Sequence, residues 1–176
     1  MRDVLAISAM SIEPVERSQI TAAHPVSVLS QYLEKKRSQA HHSTAGRVDL
    51  LEIVPLLPWL MIIEDRGQGT DIDFWIKFAG PAITGLIGTD PTGTRISEGL
   101  PTKELAETIR RECLHAQLSK QPRFSKDEFK MTGMARKKVF VSVYPLSKSA
   151  GLTMDELFWL MAPCDTEMDL NDEGHD

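Results

Sequence analysis

Every side chain from residue 59 to 63 (WLMII) is apolar. Late in the chain Leu157, Trp159 and Met161 alternate with Phe158, Leu160 and Ala162. A strand that is apolar on both faces belongs in the middle of a sheet, covered on both sides. Residues 72–79 read differently. There Ile72, Phe74, Ile76 and Phe78 alternate with Asp73, Trp75, Lys77 and Ala79, the period-2 signature of a half-exposed edge strand with its four apolar side chains on one face. Two further strands are expected at about 123–131 and 138–146, with turns at Gly133 and Gly151, and the last strand at about 156–162.

Helical periods separate these segments. Pro25 opens an amphipathic helix running to about Arg37, with Val28, Leu29, Tyr32 and Leu33 on one stripe and Ser27, Gln31, Glu34 and Lys35 away from it. Thr102 is an N-cap for a longer helix whose buried stripe is Leu105, Ile109, Cys113 and Ala116, ending near Lys120 before Pro122. Residues 79–88 hold only a short helical turn between glycines, and residues 89–93 (TDPTG) form a loop. The reading is an α+β fold, a five-stranded antiparallel sheet with a helical crossover on one face. The second face needs another cover, which the residue 28–33 stripe supplies either within the subunit or from a partner.

The expected organisation is a flexible arm at 1–24, an N-terminal helix and polar linker at 25–46, the main domain at 47–163 and a disordered acidic tail at 164–176. The formal charge of −5 sits in that tail: residues 165–176 carry six acids and no Lys or Arg. The remainder is nearly neutral, which gives no basis for broad nucleic-acid binding. Its basic cluster Arg136, Lys137 and Lys138, with Lys126 and Lys130 upstream, reads as a solvated turn. The apolar run 53–63 contains Pro55 and Pro58 and is far shorter than the roughly 20 residues that span a bilayer. Cys113 and Cys164 form no C-x-x-C pair, and the first residues lack a signal-peptide core, so a reduced, cytoplasmic protein is expected.

In the order and hydrophobic pattern of residues 47–65 (RVDLLEIVPLLPWLMIIED), 73–83 (DFWIKFAGPAI), 88–93 (GTDPTG) and 138–151 (KVFVSVYPLSKSAG), the chain resembles small stand-alone bacterial PAS-like proteins of the alphaproteobacterial type. The resemblance spans about 25–162 and implies strand order 2-1-5-4-3. It also implies a sensory or interaction role, in some members around flavin, haem or a metabolite. Two positions depart from that pattern: Gly80-Pro81 replaces a Gly-Thr, and Tyr32-Leu33 replaces a Tyr-Trp pair.

Chemistry narrows the role. No flavin-photosensor stretch surrounds Cys113, and His115, the histidine expected within the domain, falls away from the apolar stripe, which argues against a haem ligand. His41 and His42 have no spaced partners for zinc. No nucleophile elbow or H-E-x-x-H motif occurs, and GTDPTG lacks the Lys-Ser or Lys-Thr of a phosphate loop, so the chain is not read as an enzyme. What remains is an apolar site between sheet and crossover helices, walled by Phe74, Ile76, Phe78, Ile83, Leu86, Ile87, Leu105, Ile109 and Val141. Two functions follow: a sensor that binds a small, largely apolar ligand and signals through protein contact, or a ligand-free interaction module that dimerises through Val28, Leu29, Tyr32 and Leu33.

Overall fold

The computed structural model describes residues 8–39, 48–67, 72–130, 135–148 and 153–169. The expected linker histidines His41 and His42, the turns at Gly133 and Gly151, and the acidic residues beyond 169 lie outside the described residues. Six strands form one antiparallel sheet: β1 (Ser8–Pro14), β2 (Leu60–Asp65), β3 (Phe74–Ala79), β4 (Arg123–Lys130), β5 (Lys137–Leu146) and β6 (Glu156–Pro163). Their order is β1-β4-β5-β6-β2-β3. The two doubly apolar strands, β2 and β6, are neighbours, with Met61 opposite Trp159 and Ile62 opposite Phe158. Both are buried along nearly their whole length.

Strand β1 corrects the expectation of a flexible arm. It pairs with β4 from Ser8 opposite Lys130 to Pro14 opposite Ser125. The signal is weak because β1 is held by backbone pairing: it satisfies the row of peptide groups that β4 would otherwise leave open at the sheet margin. The tail expected from residue 164 is also partly ordered. Cys164 N–H donates to the Lys138 carbonyl at 3.0 Å, and Met168 N–H to the Ala23 carbonyl at 2.8 Å.

The sheet has a covered inner face and a covered outer face. Helices α2 (Pro81–Ile87), α3 (Ile96–Gly99) and α4 (Lys103–Ser119) pack on the inner face, against Ile63, Ile76, Val141, Leu157 and Trp159 among others. Pro81 occupies the first turn of α2, and Gly88 ends it in the left-handed region at φ 79°. Gly80 is required by close approach, since a Cβ there would collide with the Leu57 and Pro58 carbonyl oxygens. Thr102 caps α4 by accepting from Leu105 N–H at 3.2 Å, and the expected stripe Leu105, Ile109, Cys113 and Ala116 is buried.

Helix α1 (Pro25–Gln39) and the 3-10 run Leu50–Trp59 cover the outer face, packing Val26, Leu29, Leu33, Ile53 and Leu56 on Leu60, Ile62, Phe158 and Leu160. The cover therefore comes from within the subunit. Ser30 Oγ and Tyr144 OH hydrogen bond beneath α1. The helix start is fixed by His24, which sequence reasoning passed over in favour of His115. His24 is fully buried, whereas His115 is exposed. Its Nδ1 accepts from Val26 N–H at 3.1 Å, which leaves Nε2–H to donate to the Pro163 carbonyl at 2.9 Å. The ring is thus neutral, and burial pushes its pKa below 6.5.

Candidate functional site

Eight of the nine residues expected to wall a site lie together on the inner face: Phe74, Ile76, Ile83, Leu86, Ile87, Leu105, Ile109 and Val141 are all buried in one cluster. They interlock with Met61, Ile63 and Trp159 as the body of the core. Phe78 is elsewhere. Ile62 pairs with Phe78 while Ile63 pairs with Ile76, so Lys77 is an extra residue in β3, a β-bulge. The bulge breaks the period-2 alternation and turns Phe78 onto the outer face, where it joins the cluster beneath the 3-10 run. The expected self-association stripe also divides: Leu29 and Leu33 are buried against their own sheet, while Val28 and Tyr32 sit half-buried beside that core.

On the outer face, Phe78 lines a cleft of about 420 Å³ between the 3-10 run, β3 and the β5–β6 end of the sheet. Leu57, Ile62, Leu146 and Phe158 supply apolar walls, extended by Val48 and Leu50; Lys77, Ser147, Lys148 and Glu156 complete the lining. A volume of this size is in the range of small-molecule sites.

Charges at one side of the cleft are arranged by strand register. Glu64 and Glu156 stand directly opposite each other on β2 and β6, a like-charge pair that is unfavourable unless compensated. Compensation comes from β3 and from the end of β5. Lys148 Nζ lies 2.7 Å from Glu64 Oε1, and Lys77 Nζ lies 3.3 Å from the same oxygen and 3.9 Å from Glu156 Oε2. The Lys148 hydrogen bond, supported by Lys77 and Arg66, outweighs burial and holds the Glu64 carboxyl down at about 2. Glu156 is shifted the other way, upward, chiefly because it is desolvated. The Lys148 backbone is itself positioned by Asp155, whose Oδ1 accepts its N–H at 2.9 Å.

The neighbouring sheet margin is closed. Arg66 lies over the Trp75 ring at 4.1 Å and Arg95 at 5.3 Å, and Arg66 also reaches Glu64 Oε2 at 3.4 Å. The loop 89–95 pads the free edge of β3: Ile76 N–H donates to the Thr94 carbonyl, Gly93 N–H to the Ile76 carbonyl, and Ala79 N–H to Thr92 Oγ1. That is the work of the GTDPTG segment here.

A second cleft, about 390 Å³, is lined by Arg136, Lys137, Lys138, Pro163, Cys164 and Asp165, with Arg136 paired to Glu128 at 3.4 Å. Cys113 is fully buried in α4, and burial pushes its thiol pKa far up, so it is not a reactive thiol. Among the described residues no group of three or more His, Cys, Asp or Glu side chains could hold a metal ion, and no helix is long and apolar enough to cross a membrane. The chain matches no protein-family model and no curated protein.

Proposed function

We propose that the chain is a regulatory module of PAS-like organisation that binds a small, largely apolar ligand in the outer-face cleft and signals through protein contact. The observation that carries this reading is the cleft itself: about 420 Å³ of space walled by Leu57, Ile62, Phe78, Leu146 and Phe158, opened on the face opposite the packed inner core. The succession β4-β5-β6-β2-β3 supports the PAS-like part, since it is the 2-1-5-4-3 arrangement once β1 is set aside. The contact part is supported by the 3-10 run. The segment that lines the cleft with Leu50 and Leu57 also presents Leu51 (80% exposed) and Val54 (50% exposed) to solvent. A ligand seated on this run therefore bears on a surface suited to a protein partner. Relative to the site expected from sequence, the ligand moves from the inner to the outer face.

The test is a fluorescence titration with 1-anilinonaphthalene-8-sulfonate, checked for an intact fold by near-ultraviolet circular dichroism. Phe78→Asp places a charge on the cleft wall and is expected to weaken binding at least about tenfold, because the probe loses apolar contact area worth more than 1.4 kcal/mol. Unchanged affinity in the folded variant would remove the cleft as the ligand site.

A further inference from the structure

Resting on the reading of this cleft as the ligand site, we infer that its ligand is an amphipathic monocarboxylate, with an apolar body on Leu57, Phe78 and Phe158 and its carboxylate on the Lys77 and Lys148 ammonium groups. Both lysines line the cleft, and both direct Nζ at one oxygen, Glu64 Oε1. Two ammonium groups gathered on one oxygen stand close enough for a single carboxylate to bridge them. Each ammonium has three N–H donors, and one shared acceptor uses only part of that capacity. The charged side chains that line the cleft point the same way: two cations, Lys77 and Lys148, against one carboxylate, Glu156.

The alternatives fit less well. A cationic head would meet the two ammonium groups of the lining, and Glu64 is already held by three cations, which leaves Glu156 as the one carboxylate of the lining to receive it. An uncharged head would make only the weaker hydrogen bonds of a neutral acceptor to the ammonium groups, while the apolar walls require that the rest of the molecule be hydrocarbon or aryl. Glu64 then acts as a positioning residue: it preassembles the two ammonium groups and competes with the ligand for them.

Isothermal titration at low ionic strength with octanoate, 1-octanol and octylamine separates the possibilities. Octanoate is expected to bind at least about tenfold tighter than 1-octanol, the size of one charge-assisted contact. Lys148→Met should erase that preference while leaving 1-octanol binding in place, and Lys148→Arg should retain it. Glu64→Gln, which releases both ammonium groups from the Glu64 carboxylate, should tighten octanoate and leave 1-octanol unchanged, a result that a merely structural role for Glu64 would not produce. Equal affinity for octanoate and 1-octanol overturns the carboxylate inference but keeps the cleft, as does tightest binding of octylamine. Binding of none of the three overturns the inference and the cleft reading together.

Discussion

Asp127 offers the sharpest stability test. It lies on β4 opposite Ile12 and Val139, is 1% exposed, and neither carboxylate oxygen has a hydrogen-bond partner within bonding geometry. Burial raises its pKa from 3.8 to about 7; Glu112 adds to the rise and Ser125 opposes it. In the window between those values the folded state keeps a proton that the unfolded chain has released. Stability contributed by this group therefore falls as pH rises from about 4 to about 7 and stays low above that. At 1.36 kcal/mol per unit the full difference is about 4 kcal/mol, a ceiling that structural relaxation and water entry reduce to about 2 kcal/mol. Asp127→Asn keeps the shape and removes the charge. Urea denaturation followed by far-ultraviolet circular dichroism should show the variant more stable than wild type by about 2 kcal/mol at pH 8, with the gain smaller at pH 5 and most of it gone at pH 4. A difference between the two proteins that is constant across pH 5 to 8 would refute the reasoning.

Two other predictions concern the cover of the outer face. His24 is held neutral and its folded pKa lies below 6.5, so its contribution is fully present above pH 6.5 and is lost as pH falls below that value. His24→Ala removes the acceptor that caps α1 and the ring edge against Phe140; urea midpoints should report a loss of about 2 kcal/mol at pH 7.5, shrinking toward acid pH. Leu29 is fully buried under α1, and Leu29→Ala should cost about 3 kcal/mol without changing the mass seen by analytical ultracentrifugation. A folded variant of altered mass would restore the stripe as an interface between subunits.

Much of the fold is legible in the sequence because it rests on local periods. The runs 59–63 and 157–162 are apolar on both faces and do sit side by side; Thr102 and its stripe of Leu105, Ile109, Cys113 and Ala116 define α4 as expected. The misses have a common cause in pairing between distant residues. Nothing in FWIKFA marks Lys77 as a bulge, since only the register against β2 creates it, and that one extra residue moves Phe78 to the other side of the sheet. The charged side of the cleft joins residues 64, 77, 148 and 156, which come together only after β2, β3, β5 and β6 are aligned. His24 carries its meaning through the Pro163 carbonyl, 139 residues away. A single signal was available for the cleft: Glu64 and Glu156, charges near the ends of otherwise apolar strands, where a strand reaches the margin of a buried face.

Ligand binding on the outer face, as proposed, is tested most directly by methyl and amide chemical-shift mapping during an octanoate titration. Shifts are expected at Leu57, Ile62, Phe78, Leu146 and Phe158, together with Lys148, while Leu105, Ile109 and Val141 stay unmoved. Shifts centred on Leu105, Ile109 and Val141, with the cleft residues unchanged, would contradict it and return the site to the space between the sheet and α4.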